Sequence, residues 1–214
     1  ISFHKILRGV KLILFSFFIS LIDQFSFLNV FKYLTFRTGL SVISSMIIVF
    51  LIGGPFINFI GAHKITGPIR KDGPIDHIVN KVGTPTMGGI LILIGILFGT
   101  LLWADLQNPY IWVLLFVATS FGLLGAIDDY LKIKHNNSRG ISSIMKIVFQ
   151  IILSLISVVL LLKFGDTNHL TNLYLPFFKN LTIHLGLFFI PFAIFVVVGS
   201  SNAVNLTDGL DGLA

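Results

Sequence analysis

Cysteine is absent and so is glutamate: all nine acidic residues of this 214-residue chain are aspartate. Without cysteine there are no disulfide staples, no thiolate nucleophile and no cysteine-based zinc site, and the redox compartment leaves no trace. Charge is scarce at 11% of residues, whereas 55% are hydrophobic and mean hydropathy is +0.94. Soluble domains hold about 25% charged and about 45–50% apolar residues, so the composition points to a membrane protein. Also missing are the polar–apolar alternation of barrel strands, internal repeats, a nucleotide P-loop and a serine–histidine–acid pattern. The net charge of +6 beside apolar runs fits basic loops at a lipid surface rather than nucleic acid. Nothing in the composition explains the missing glutamate.

What is present is a series of apolar runs. Five of them, at roughly 40–60, 87–104, 110–127, 145–163 and 183–201, are long enough to cross about 30 Å of hydrocarbon as helices. Unpaired backbone groups are not tolerated in lipid, so the runs predict an all-α, polytopic membrane protein of about five transmembrane helices. The Leu12–Ile22 run is shorter and is flanked by Arg8, Lys11 and Asp23. Residues 1–39 therefore read as an N-terminal interfacial segment, ahead of a multi-span domain over 40–214. The chain opens on Ile1 and stops at Ala214 inside a motif, so it reads as a fragment at both ends.

The basic residues sort by loop. Lys64, Arg70, Lys71 and Lys81 fall in 61–86, and Lys132, Lys134, Arg139 and Lys146 in 128–146, against none in 105–109. The positive-inside rule puts the first two loops in the cytoplasm, with Trp103, Tyr110 and Trp112 as an aromatic belt at the opposite interface. Lys5, Arg8, Lys11, Lys32 and Arg37 then fall largely outside, a conflict that a sixth span near 6–22 would remove.

Three polar clusters sit at span ends. Even numbers of expected crossings separate them, so they face one side of the membrane. Lys81-Val82-Gly83-Thr84-Pro85-Thr86-Met87-Gly88-Gly89 is a rigid turn entering a helix, with Thr84 or Thr86 available as N-cap. Free N–H groups there beside Lys81 suit an anion, although a plain loop-to-span junction has the same composition. Asp128 and Asp129 end the run from Pro109 to Ile127, and on a helix Lys132 reaches either acid at i,i+4 or i,i+3. A charged cap with a simple salt bridge is the plainer reading. Two acids against one lysine leave a spare negative charge, which favours Mg²⁺ with a phosphorylated ligand. Asn202, Asn205, Asp208 and Asp211 recur every three residues along one drifting helical face, with Gly209 and Gly212 allowing close approach. The spacing and the absent glutamate rule out a calcium loop of the EF-hand type. His63, His77 and His135 show no metal spacing, and His4, His169 and His184 carry no pattern. Acids and lysines gathered at one membrane face suit metal-assisted phosphoryl transfer between a soluble phosphorylated donor and a lipid acceptor.

The strings Gly83-Thr84-Pro85-Thr86-Met87-Gly88-Gly89, Asp128-Asp129-Tyr130-Leu131-Lys132 and Asn205-Leu206-Thr207-Asp208-Gly209-Leu210-Asp211-Gly212 resemble the bacterial phospho-N-acetylmuramoyl-pentapeptide-transferase family. Asn29–Gly39 is similar to that family's N-terminal region, so the resemblance runs along nearly the whole chain. It implies Mg²⁺-dependent transfer of phospho-MurNAc-pentapeptide from its UDP carrier to undecaprenyl phosphate, giving lipid I and UMP. It also implies about ten transmembrane helices in the full protein, outside termini, a homodimer and an active site on the cytoplasmic face of the bacterial inner membrane. By residue, it implies Asp128 as base or covalent nucleophile and Asp129 at the metal–diphosphate site, with Asp128 beside it. Lys132 would stabilise phosphate charge, and Lys81, Asn205, Asp208 and Asp211 would line the uridine-diphosphate pocket. A further metal-binding Asp and a histidine motif of the family lie beyond Ala214. The rival readings are a sister transferase using UDP-N-acetylglucosamine and an ion- or proton-coupled transporter. Transport acids sit mid-span, whereas Asp128, Asp208 and Asp211 lie at span ends.

Overall fold

The computed structural model describes residues 14–63, 87–135, 140–165, 167–175, 177 and 181–207. The chain divides into two units, Ile1–Ile141 and Ser142–Ala214. In the first unit, helix α1 covers Leu14–Ser20, α2 Leu34–Ala62, α3 Gly89–Trp103 and α4 Pro109–Lys134, with a 3-10 turn over Ser26–Lys32. In the second, α5 is Ser143–Phe164 and α6 Thr167–Leu170. Strands β1 (Asn172–Tyr174) and β2 (Thr182–His184) follow, then a 3-10 turn over Gly186–Phe188 and α7 (Phe189–Thr207).

Four stretches, Leu34–Ala62, Pro109–Lys134, Ser143–Phe164 and Gly186–Leu206, are long and apolar enough to cross a membrane, and α3 is a shorter apolar helix. The protein is thus an all-α, multi-pass membrane chain, as the apolar runs predict. Its outward faces are apolar, with Phe50 75% exposed, which is the pattern of a lipid-facing surface rather than a solvated one.

The helix ends differ from the apolar runs in consistent ways. α2 begins at Leu34 rather than near 40, inside the expected interfacial segment, because the helix carries Arg37 and Gly39 in its opening turns. Thr38 Oγ1 donates to the Leu34 carbonyl there. α3 has 15 residues, a rise of about 22 Å, short of the full crossing expected for 87–104. Its N-cap is Gly88, with no side-chain cap, and the expected caps Thr84 and Thr86 lie outside the described residues. α7 begins at Phe189 rather than 183, because Thr182–His184 pairs antiparallel with Asn172–Tyr174. His184 Nδ1 lies 2.7 Å from Asn172 Oδ1 across that hairpin.

Small residues let α2 and α3 approach closely. Ser45 Oγ donates to the Gly95 carbonyl at 2.8 Å. A methyl group on Gly95 would meet Val49 Cγ2 at 2.8 Å, and one on Gly99 would meet the Ser41 carbonyl at 2.8 Å. Small residues spaced four apart on both helices are the usual means of packing helices in lipid, where no hydrophobic drive brings them together. At the far end of α3, Trp103 Nε1 donates to Ser44 Oγ at 3.1 Å, and the indole stacks on Phe31 and Phe18. Trp112 Nε1 reaches the Leu106 carbonyl at 2.9 Å, so two of the expected belt aromatics are tied to the protein.

Candidate active site

α4 starts as its sequence dictates: Asn108 Oδ1 accepts from the Tyr110 N–H at 3.0 Å and Pro109 occupies the first turn. It then runs beyond the apolar stretch, through Asp128 to Lys134. Basic Lys132 and Lys134 in the last turn suit the negative end of the helix dipole. That extension sets the spacing of the charged groups. Lys132 Nζ lies 2.7 Å from Asp128 Oδ2 and 3.1 Å from Asp129 Oδ1, so the lysine bridges both acids rather than choosing one. Asp128 is buried, at 7% exposure, whereas Asp129 is half-buried.

A second donor comes from the segment after the helix. The Ile141 N–H donates to Asp128 Oδ1 at 2.7 Å. Gly140, at φ 54, brings the backbone over the carboxylate, and any side chain there would collide with Asp128 Oδ1. It would also lie 2.9 Å from Lys132 Cε. Only glycine suits both that φ and that proximity. Sequence reasoning missed this clamp, since a backbone N–H carries no residue signature. Gly140, just after Arg139 in a polar loop, was its only visible trace.

The donor set fits a hard divalent cation. Two carboxylates at one helix end already converge on a positive charge, the Lys132 ammonium. Among the described residues no group of three acids, histidines or cysteines could hold a metal unaided. A Mg²⁺ ion held here would take one or both carboxylates and fill its octahedron with water and substrate phosphates.

The other two clusters are described in part. Lys81, with Thr84 and Thr86, lies outside the described residues, as do Asp208, Asp211 and His77. Of the first string, Met87 adopts φ 70, an unusual left-handed conformation for a non-glycine residue, directly before Gly88. Of the third, Asn202 and Asn205 ride on the last turns of α7, with Asn205 exposed. Asn202 Nδ2 donates to Gln150 Oε1 on α5 at 2.8 Å and to its own Val198 carbonyl at 2.8 Å. His63 and His135 are exposed helix-end residues, each with Nδ1 near the carbonyl four positions back.

The family model "Glycosyl transferase family 4" matches residues 111–214, and "Phospho-N-acetylmuramoyl-pentapeptide-transferase signature 1" matches 81–93. A phospho-N-acetylmuramoyl-pentapeptide-transferase from Pelagibacter ubique (strain HTCC1062) is 63% identical over 201 residues, covering 94% of this chain and 56% of the relative. The enzyme of that name from Thermodesulfovibrio yellowstonii is 50% identical over 196 residues, covering 91% of this chain and 54% of the relative. The one from Maricaulis maris is 45% identical over 207 residues, with 94% and 56% covered. The chain therefore spans a little over half the length of these relatives. The matched stretches take in the Gly-Gly turn, the Asp128–Lys132 helix end and the Asn205 string, and they place the chain in the phospho-N-acetylmuramoyl-pentapeptide-transferase family, within glycosyl transferase family 4.

Proposed function

We propose that the full-length protein transfers phospho-MurNAc-pentapeptide from UDP-MurNAc-pentapeptide to undecaprenyl phosphate, releasing UMP and forming lipid I. The site faces the cytoplasm at the bacterial inner membrane, and the protein works as a homodimer. The observation that carries this reading is the bridged acid pair: a buried Asp128 held by a backbone N–H and Lys132, with a half-buried Asp129 alongside.

In this reading Asp128 takes the proton from the lipid phosphate. A phosphate oxygen then forms a new bond to the sugar-side phosphorus of the donor, the diphosphate linkage breaks, and UMP leaves. Lys132 moves from the carboxylates towards the charge that develops on the phosphates. Asp129, with Asp128, would hold Mg²⁺, which when bound neutralises the diphosphate and eases departure of UMP. Lys81, Asn205, Asp208 and Asp211 bind the uridine-diphosphate portion. Asp128 and Asp129 lie near the end of α4 and not mid-span, which disfavours a transporter.

The test is mass analysis of the lipid product made by the full-length protein in detergent with undecaprenyl phosphate and Mg²⁺. A product carrying phospho-MurNAc-pentapeptide is expected. A product carrying phospho-N-acetylglucosamine instead, from the corresponding UDP-sugar, would reassign the donor and leave the acid-pair chemistry in place. No lipid product from either donor would sink the reading.

A further inference from the structure

α5 carries a stripe of buried polar residues on an otherwise apolar helix: Gln150 at 2% exposure, Ser154 at 0% and Ser157 at 4%. Ser157 Oγ satisfies itself on the Leu153 carbonyl. Gln150 instead reaches across to α7, which packs on α5, and accepts from Asn202 Nδ2 at 2.8 Å. Asn202 is further fixed by its second donation, to Val198. An amide pair of this kind is neutral, and replacing both partners by apolar groups leaves little net cost in folding. What it does impose is register. A slip of one turn along α5 would separate the two amides and strand both in hydrocarbon.

The position of the pair is what gives it a role. Gln150 lies one turn inside Lys146, and Asn202 lies three residues before Asn205, so the bond ties together the two helix ends that carry those groups. We infer that Gln150 and Asn202 are positioning residues, a register latch that holds the Asn205 end of α7 in place for the nucleotide part of the donor. This deepens the proposed function and rests on it for the role of Asn205.

The experiment uses the full-length protein. Gln150→Leu and Asn202→Leu should each raise KM for the UDP-sugar donor about tenfold, with kcat and KM for undecaprenyl phosphate unchanged. The exchanged pair, Gln150→Asn with Asn202→Gln, should recover donor KM to within about threefold, which a purely space-filling role would not do. A second readout needs no turnover. A spin label on Leu206→Cys, an exposed position on the last turn of α7, should become more mobile in the Leu variants and regain its order in the exchanged pair. Unchanged mobility and unchanged donor KM overturn the latch, as does an equal loss in kcat and in both KM values that the exchange fails to rescue. If the unmodified protein turns over neither donor, the functional reading fails by itself, and the mobility result alone then decides the latch.

Discussion

Asp128 near the end of α4 and Gln150 near the start of α5 are both buried in apolar helices, at 7% and 2% exposure, but they are satisfied in opposite ways. Gln150 has one neutral partner of matching chemistry on a neighbouring helix. Asp128 receives a lysine from its own helix and a backbone N–H from a segment thirteen residues on, and it stands next to a second acid sharing that lysine. The amide pair is neutral and carries no charge to draw a cation. The acid pair is made of charged groups, and its carboxylates suit a cation or an incoming substrate. Polar groups in lipid are conspicuous in either case, and this balance of charge separates scaffold from chemistry.

That contrast can be broken at several points. Removing Mg²⁺ with EDTA from the full-length protein should abolish UMP release, and re-addition should restore it. Persistent turnover would show that the acid pair works without a metal. Lys132→Met should lower kcat by about 10²–10³, the usual loss when a preorganised charge at a transition state is removed. A variant that retained kcat and lost only folding yield would make the bridge structural. Gly140→Ala should lower kcat about tenfold through displacement of Asp128, with donor KM unchanged, a split visible in steady-state kinetics. Ile141→Ala keeps the backbone donor and should be near normal. The smallest effect on chemistry is expected at Gly99→Leu. It should leave the kinetics of the surviving protein intact but destabilise it by about 1–3 kcal/mol in a denaturation series, since α2 must move off α3.

How much of this could be read from the chain depends on whether a signal is local. Apolar length located the helices, and it missed their ends wherever a helix continues into polar sequence, as α4 does past Ile127 through the charges to Lys134 and α7 does through Asn202 and Asn205 to Thr207. The strands Asn172–Tyr174 and Thr182–His184 are three residues each, too short for any alternation to register. The i,i+4 and i,i+3 reach of Lys132 was legible, because helical spacing alone decides it. The Ile141 N–H was not, since its donor is backbone and its partner is distant in sequence. Ser41, Ser45, Gly95 and Gly99 were open to view at spacings of four, yet only the close approach of α2 to α3 gives those spacings a meaning.

The central claim is that Asp128 is the reactive group, and Asp128→Asn in the full-length protein tests it most directly. The exchange keeps shape and membrane insertion and removes the charge. Turnover and donor binding should be measured on the same preparation. The account predicts a fall in kcat of about 10²–10⁴ with donor binding and insertion preserved. Near-normal turnover in a correctly inserted Asp128→Asn protein would contradict it and leave the bridged acid pair as a helix cap.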